Sequence, residues 1–502
     1  MQNKEKNRAG RTMGTLRKLT AGIAAGVMAL SLMAAQVSAT TYVNYNYDDW
    51  GDPVPSQAGY TAERAVSGLD IGVGNLYEPA DLFIDEDDLL YIADRKNNRI
   101  VVTDLDFNLV TIYDTFIYKG EETYLKEPQG IFIDDATGYM YICDALNDRV
   151  IKSDKEGNID LIFTKPDSIL YGAETTFNPF KVCVDGSGNV YVVVKSVNRG
   201  AVMYDENANF LGFYGANTVL ATSEVIANAF WNLISTEEQR LRTMKSTPVS
   251  FSNFDIDGQF IYTVTESTTT TDDQVKKLNP RGDNVLDAIE MQGANFGDIA
   301  PAYYSIYTVE NAMVDIDVSD TGTMTLLDVN HGRIHQFDKD GWRLFLMGGV
   351  GWQLGQFQSA AALETKYDKI YVADVRKNTI TVFTRTVFGE LVTEAAGKFS
   401  EAEYNESKAM WEEVLRYDGN YRRAYTGIGL SYLFDKNYAP AMENFKIALN
   451  QYYYNQAFEG WRNIILKENF TLIVIILVIA AGGYFAYRFY RKKHPKKKER
   501  GA

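Results

Sequence analysis

Cysteine, histidine and proline are all scarce in this chain, whose 502 residues include two cysteines, three histidines and eleven prolines. So few cysteines exclude a small disulfide-stapled fold, and the sequence leaves open whether Cys143 and Cys183 pair. One histidine, His494, lies in a basic C-terminal tail, while His331 and His335 flank a single turn. A zinc or copper site built on histidine is therefore not expected.

Recognisable catalytic motifs are also missing. The chain contains neither a Gly-x-Ser-x-Gly elbow nor a glycine-rich phosphate loop. Without a Ser/His or Cys/His constellation, nucleophilic hydrolysis has no support in the sequence. We therefore predict that the protein is not an enzyme and needs no cofactor.

Charge is distributed very unevenly along the chain. The formal net charge is -16, but residues 1–39 and 488–502 are both strongly basic, so residues 40–487 alone carry -28. A surface this acidic is soluble and repels other polyanions. Nucleic acid is therefore not an expected partner.

Both ends of the chain carry signals for a membrane. Residues 1–39 combine a basic stretch, an apolar segment and the small-x-small site Val37–Ala39, which predicts a secretory signal peptide. Residues 470–487 form an uncharged run long enough to cross a bilayer. The basic residues 488–502 that follow are expected in the cytoplasm. We predict a single-pass cell-membrane protein whose bulk is extracytoplasmic.

A pattern of short β-rich runs recurs between these ends. Residues 78–103 contain Pro-Ala-Asp-Leu-Phe-Ile-Asp, then Tyr-Ile-Ala-Asp, then Asn-x-Arg-Ile, and residues 127–153 repeat this order. Six copies align on Ala93, Cys143, Val193, Val264, Leu327 and Ala373, with spacings of 50, 50, 71, 63 and 46 residues. Self-similarity at such a period, with turn residues between the runs, predicts six four-stranded antiparallel blades arranged around a channel.

The order of these motifs resembles the NHL repeat, a family whose members fold as six-bladed β-propellers. The resemblance covers residues 74–392 and is degenerate in the fourth copy, while the third copy lacks the Asp after its tyrosine strand. It implies a mainly β fold, with a propeller at residues 74–396, a short helical segment and one transmembrane helix. It also implies a bacterial cell-surface protein.

Three segments lie outside the repeats. We expect the aromatic arm at residues 40–73 to close the propeller, with a platform for sugar rings as the alternative. Residues 217–245 show helical spacing and predict an insertion on one face, where lids often occur. Residues 397–468 predict helices, and the pattern around Gly429 and Ala441 is similar to the tetratricopeptide repeat. The sequence leaves open whether that segment only spaces the propeller from the membrane or docks a partner.

One aspartate recurs after the tyrosine strand of four copies. It is Asp94, Asp144, Asp328 and Asp374. A residue that recurs in most blades is expected to hold a turn together through bonds to backbone donors. We interpret these aspartates as structural.

A second position, on the innermost strand, differs from copy to copy. Its occupants are Asp81, Gly130, Lys181, Asn253, Asp315 and, in the sixth copy, Ala360. Polar groups that converge on a propeller mouth form the default ligand site. We therefore predict a ligand-binding role for Asp81, Lys181, Asn253 and Asp315, with solvated channel lining as the alternative.

The same mouth permits a metal-dependent alternative. A resemblance to gluconolactonase-like propellers would imply a divalent cation held by Asp81, Asn253 and Asp315, because hard cations prefer oxygen ligands. Lys181, however, places a competing positive charge at that mouth, and no paired acid and base is evident.

The function we predict is binding or scaffolding by a membrane-anchored propeller. Its partner is expected to be a protein, such as a membrane transport component, or a glycan. A supporting role in sugar uptake or envelope assembly is the narrower expectation. A lactonase-like hydrolase and a purely structural surface scaffold are the alternatives.

Overall fold

The computed structural model describes residues 42, 44–47, 53–172, 174–195, 197–215, 251–266, 274–286, 296–297 and 311–494. The predicted signal peptide (1–39) and the predicted helical insertion (217–245) lie outside these residues. So does the end of the basic tail, residues 495–502.

The strands form six radial sheets, which confirms the six-bladed propeller. The chain begins with the hairpin β1 (Tyr45–Tyr47) and β2 (Pro53–Pro55), then β3 (Tyr60–Ser67). Blade 1 contains β4 (Pro79–Ile84), β5 (Leu89–Asp94), β6 (Arg99–Asp104) and β7 (Leu109–Tyr113), and the hairpin β8 (Thr115–Tyr118) and β9 (Glu121–Tyr124) follows it. Blade 2 contains β10 (Pro128–Asp134), β11 (Tyr139–Asp144), β12 (Arg149–Ser153) and β13 (Ile159–Thr164).

The remaining four blades repeat this meander. Blade 3 contains β14 (Pro179–Val184), β15 (Val190–Val194), β16 (Ala201–Tyr204) and β17 (Phe210–Tyr214), and the described part of blade 4 contains β18 (Asn253–Asp257), β19 (Phe260–Val264) and β20 (Val275–Leu278). Blade 5 contains β21 (Met313–Val318), β22 (Met324–Asp328), β23 (Arg333–Phe337) and β24 (Arg343–Gly348). Blade 6 contains β25 (Ala360–Lys366), β26 (Lys369–Asp374), β27 (Thr379–Arg385) and, as its outer strand, β3.

The outer strand of blade 6 closes the ring. β3 pairs antiparallel with β27, with Ser67 opposite Thr379 and Tyr60 opposite Arg385. The N-terminal arm and the last repeat therefore form one sheet, which joins the two ends of the ring through backbone hydrogen bonds.

The middle strands of the blades are apolar on both faces because each blade packs between two neighbours. In β5, for example, all residues from Leu90 to Asp94 are buried. Sheets covered on both faces have continuous rather than alternating apolar strands. This explains why the repeats appear in the sequence as runs such as Leu-Tyr-Ile-Ala.

The recurring aspartates hold turns together in the four blades that have them, as predicted. The two carboxylate oxygens of Asp94 accept bonds from the backbone N–H of Tyr77 at 2.7 Å and from the side chains of Asn97 and Arg99, both at 2.8 Å. Asp144 makes the equivalent three bonds in blade 2. Each aspartate thus joins the entry of the innermost strand to the next turn, where a short 3-10 helix (Arg95–Asn97 or Ala145–Asn147) lies.

Seven α-helices lie in the described part of the chain. They are α1 (Gly68–Ile71), α2 (Val387–Ser400), α3 (Tyr404–Tyr417), α4 (Arg422–Phe434), α5 (Tyr438–Ile447), α6 (Gln451–Glu468) and α7 (Phe470–Lys493). The last blade strand ends at Arg385, so residues 387–396, which we had predicted within the propeller, form a helix. Thr386 caps α2 by accepting a bond from the N–H of Gly389 at 3.0 Å.

Helices α2–α6 form the helical unit. Its helices α2–α4 share a hydrophobic core with blades 5 and 6, and α5 and α6 form a second core with α4, against which Trp342 of blade 5 packs. Phe388 packs edge-on against Phe345 with ring centroids 6.0 Å apart, and the Tyr421 hydroxyl donates to the carbonyl of Leu344 at 2.7 Å. Arg423 donates to Asp338 at 2.9 Å, and both side chains are buried. The helical unit is therefore built into the body of the protein and does not extend from it as an independent stalk.

Helix α7 contains the predicted span. It has 24 residues, its apolar window has a mean hydropathy of 2.3, and none of that window is buried in the protein. The helix continues beyond residue 487 through basic residues to Lys493. Among the described residues this is the one helix long and apolar enough to cross a membrane.

Candidate functional site

Three of the four predicted site residues meet on the propeller axis. Asp81, Lys181 and Asp315, the axial cluster, come from the innermost strands of blades 1, 3 and 5 and are all buried. The Lys181 ammonium donates to Asp81 Oδ1 and lies 3.9 Å from Asp315 Oδ1. Blades 1, 3 and 5 alternate around the ring, so these three side chains converge on its axis from three directions.

The other carboxylate oxygens of the axial cluster join neighbouring blades. Asp81 Oδ2 accepts the backbone N–H of Ile131 in blade 2 at 2.8 Å. Asp315 Oδ2 accepts the backbone N–H of Leu363 in blade 6 at 2.6 Å. Asp81 and Asp315 therefore also have a structural role, because each links its own blade to the next one. The sequence predicted such a role only for the recurring aspartates.

Asn253, the fourth predicted residue, is buried at the equivalent position of blade 4. Its Oδ1 accepts the backbone N–H of Phe254 at 2.7 Å. Within the described residues it has no hydrogen bond to the axial cluster. A ligand-binding role for the four residues stays a prediction.

The sixth-blade equivalent of this position is Ala362. Asp81 pairs with Ala93, which precedes Asp94 on β5, and Ala362 pairs in the same way with Ala373 on β26. Ala360 instead pairs with Asp374, as Pro79 pairs with Asp94, and both blades have a β-bulge just after that pair. Blades 1 to 3 have an aspartate four residues after the position in question (Asp85, Asp134 and Asp185), but blade 6 has Lys366 there, so its sequence contains no aspartate that marks the register.

A second layer of polar side chains, which the sequence analysis did not predict, lies two residues further along the innermost strands. Asp255, Asp317 and Glu364, the acidic layer, occupy the register position that Phe83, Phe132 and Cys183 hold in blades 1 to 3. Asp255 Oδ2 accepts the N–H of Val318 at 2.7 Å, Asp317 Oδ2 accepts that of Thr365 at 3.1 Å, and Asp317 and Glu364 are hydrogen-bonded to each other. Comparing this second position across the copies would have revealed the layer.

Burial makes these carboxyl groups hard to ionise. It raises the pKa of Asp315 to about 7 and that of Asp317 to about 6. Burial and the neighbouring carboxylates raise the pKa of Glu364 and Asp255 well above their usual range. Burial lowers the pKa of Lys181, but Asp315 and Asp81 together outweigh it, so the ammonium stays charged.

The raised pKa of Asp317 gives a stability that depends on pH. A carboxyl group whose folded pKa exceeds its unfolded value stabilises the fold at low pH and loses that contribution as the pH rises through the folded pKa, here about 6. Asp317→Asn is therefore expected to raise the melting temperature at pH 8 and to change it little at pH 4, close to the unfolded pKa. Scanning calorimetry of the two proteins across this range measures the difference.

Wild type and Asp317→Asn are compared at each pH because His335 changes the stability of the fold in the opposite direction with pH. Burial holds its pKa well below the usual range, so the wild-type fold loses stability as the pH falls below the unfolded value. That effect is common to both proteins and cancels. If Asp317→Asn changed the melting temperature equally at pH 4 and pH 8, the cost of ionising this carboxyl group would not be the source of the effect.

The metal alternative meets a specific obstacle in the axial cluster. A divalent cation held by Asp81 and Asp315 would have to approach the place that the Lys181 ammonium already occupies. Within the described residues no group of three or more His, Cys, Asp or Glu side chains has the geometry of a metal site. Cys143 and Cys183 are both free and buried.

The two faces of the propeller differ strongly. The connector face is formed by the turns between second and third strands and by the connections between successive blades. Its exposed large apolar residues are Leu69, Tyr77, Tyr124, Leu146, Ile169, Leu170, Val350, Trp352 and Leu354. Ile169 is 101% exposed and Trp352 is 72% exposed.

The opposite face, which we call the acidic face, is formed by the other turns of each blade. Its acidic residues include Asp85, Glu86, Asp87, Asp88, Asp104, Asp106, Asp134, Asp135, Asp154, Glu156, Asp185, Asp205, Glu206, Asp320 and Asp340. The helical unit approaches blade 5 from this side, where Asp338 pairs with Arg423 and Lys339 donates to the carbonyl of Ser400 at 3.2 Å. The described helices of the helical unit therefore do not cover the apolar residues of the connector face, which remain exposed.

Comparisons with known proteins find only solved structures of low sequence identity. No family model and no curated protein matches this chain. Similar solved structures include Kuenenia stuttgartiensis hydrazine synthase (10% identity, TM-score 0.39, 62% of this chain and 96% of that one). A catalytically inactive virginiamycin B lyase from Staphylococcus aureus matches at 11% identity and TM-score 0.38, over 64% of this chain and 99% of that one. The extracellular domain of a two-component system from Bacteroides thetaiotaomicron matches at 12% identity and TM-score 0.34, over 61% of this chain and 33% of that one. Similarity this low says nothing about activity.

Proposed function

We propose that this protein is a single-pass, membrane-anchored scaffold that binds a partner protein on the connector face of its propeller. The observation that supports this is the asymmetry of the two faces. Nine large apolar side chains are exposed on the connector face, while the opposite face is densely acidic. Contiguous exposed apolar surface rimmed by polar residues marks interaction sites on soluble domains.

The membrane anchor of this proposal is helix α7. The basic residues after the span place the C-terminus in the cytoplasm by the positive-inside rule. The predicted signal peptide at residues 1–39 then places the propeller on the extracytoplasmic side. We also propose that the blades are NHL repeats and that the helical unit is related to the tetratricopeptide repeat. The narrower role that we propose is support of sugar uptake or of envelope assembly.

The partner class follows from the chemistry of the connector face. Trp352, Val350 and Leu354 lie on one uncharged connection between blades 5 and 6. Exposed tryptophan with aliphatic neighbours is typical of the centre of a protein interface. A glycan is the second candidate, because aromatic rings such as Tyr77 and Tyr124 also stack on sugar rings.

Site-specific photocrosslinking in intact membranes tests the proposed face. A photoreactive amino acid at Trp352 or Ile169 is expected to give one defined crosslinked protein species. The same residue at Glu86 or Asp135, on the acidic face, serves as the matched control and is expected to give none. Crosslinks from the acidic face alone would contradict the proposal, and a melting-temperature shift with an oligosaccharide instead would favour the glycan.

Truncating the exposed tryptophan gives the corresponding affinity prediction. Trp352→Ser is expected to weaken partner binding by about thirtyfold or more, because central interface tryptophans contribute about 2 kcal/mol or more. The melting temperature should stay unchanged, since the side chain is 72% exposed in the free protein. Surface plasmon resonance with the crosslinked partner measures the first effect and calorimetry the second, and unchanged affinity would remove Trp352 from the interface.

A further inference from the structure

Helix α6 is only half covered by the protein. In its first half, Tyr453 and Ala457 are buried, and Tyr453 stacks on Trp342 and Phe445 with ring centroids 6.2 Å and 5.6 Å apart. This half belongs to the core of the helical unit. The same helix face continues beyond the end of that core.

The second half of α6 has an apolar stripe that no described residue covers. Phe458, Trp461, Ile464 and Ile465 are 40%, 39%, 42% and 39% exposed. They recur at intervals of three and four residues, which places them on one side of the helix. Glu459, Asn463 and Lys467 lie on the opposite side of the helix, and Arg462 lies at the edge of the stripe. Glu468, the last residue of the helix, ends the stripe on its apolar side.

The stripe runs directly into the membrane span. Asn469 alone separates α6 from α7, and its backbone torsions (φ -101°, ψ 7°) mark the break between the two helices. From Phe458 to Phe470 a straight helix would rise about 18 Å. An upright α6 would therefore hold the apolar stripe in water well above the bilayer.

Resting on the proposed anchor, we infer that the second half of α6, residues 458–468, lies in the outer membrane interface. Its apolar stripe faces the boundary between headgroups and acyl chains, and Arg462 and Lys467 face the aqueous side. Amphipathic helices bury such stripes about 5–10 Å into this boundary, and tryptophan is enriched there. Continuity with the span identifies lipid as the occupant.

This placement has a consequence for the whole protein. The chain has no unstructured linker between the helical unit and the span, because α6 ends where α7 begins. Since α6 is also fixed to the unit by Tyr453 and Ala457, a helix lying in the interface sets the orientation of the propeller relative to the bilayer. The connector face then has a fixed orientation relative to the bilayer.

Spin-label accessibility in the full-length protein tests this inference. Nitroxide labels are placed through Phe458→Cys and Ile465→Cys on the apolar stripe, and through Glu459→Cys and Asn463→Cys on the polar side as matched controls. The background carries Cys143→Ala and Cys183→Ala, and the protein is reconstituted in vesicles of phosphatidylethanolamine and phosphatidylglycerol. Collision rates with oxygen, which partitions into lipid, are compared with those of a water-soluble nickel chelate.

The expected result is oxygen accessibility several-fold above nickel accessibility at residues 458 and 465, with the reverse at 459 and 463. Nickel-accessible labels at all four positions would overturn the inference, since the stripe would then face water. Labels shielded from both reagents would also overturn it and indicate a protein partner. A fifth label through Ile476→Cys reports on the span itself, so that failure of the anchor is distinguished from failure of the interfacial helix.

Discussion

Lys181→Met is expected to destabilise the propeller severely. The substitution leaves Asp81 and Asp315 buried on the axis without their counter-ion, and removing one partner of a buried ion pair costs about 3–5 kcal/mol. A loss of this size is a large fraction of a typical domain stability of about 5–15 kcal/mol. Guanidinium unfolding of the solubilised protein, followed by circular dichroism, measures the loss.

A matched triple variant separates charge from packing. Lys181→Met combined with Asp81→Asn and Asp315→Asn removes all three charges while keeping the side chains similar in size. The amide oxygens can still accept the backbone N–H groups of Ile131 and Leu363. We expect the triple variant to be more stable than Lys181→Met alone. If the single variant unfolds at the same denaturant concentration as wild type, the axial cluster does not hold the ring together.

Ending the chain after Thr386 is expected to prevent recovery of a soluble propeller. The helical unit covers apolar side chains of blades 5 and 6, among them Leu344 and Phe345, and its own Phe388 and Tyr421 complete their packing. Each large side chain returned to water costs about 1.5–3 kcal/mol. Loss of the whole contact therefore approaches the stability of the domain and exposes an aggregating surface.

A second truncation provides the control. Ending the chain after Glu468 removes the span but keeps the helical unit, and this protein is expected to remain soluble and folded. Size-exclusion chromatography and circular dichroism of the two products give the comparison. A soluble, monodisperse product ending at Thr386 would show that the propeller is independent and that the helical unit is merely attached to it.

Much of the architecture was predictable because it depends on local sequence. The runs around Tyr91 and Tyr141 and the turns at Asn98 and Asp148 repeat with the blade, so the number of blades could be counted from the sequence. The recurring Asp94 has all its partners within one repeat, which is why its structural role could be inferred from spacing. The span was equally visible, since its signal is a continuous apolar run.

The candidate site depends on contacts that no local pattern contains. Lys181 and Asp81 are 100 residues apart and meet only because the closed ring brings alternate blades together on the axis. The register of blade 6 was not visible in the sequence, because Lys366 stands where blade 1 has Asp85. The acidic layer arose from the pairing of Asp317 with Glu364 across two blades.

The sequence by itself therefore determined the repeat, the blade count and the apolar span, because each is set by residues close together in the chain. Only the tertiary structure decided that Asp81 and Asp315 pair with Lys181, that helix α2 begins where the propeller ends, and that the apolar side chains gather on one face. These features depend on ring closure and on packing between distant segments, where the energy of a charge or an apolar side chain is set by what surrounds it in space.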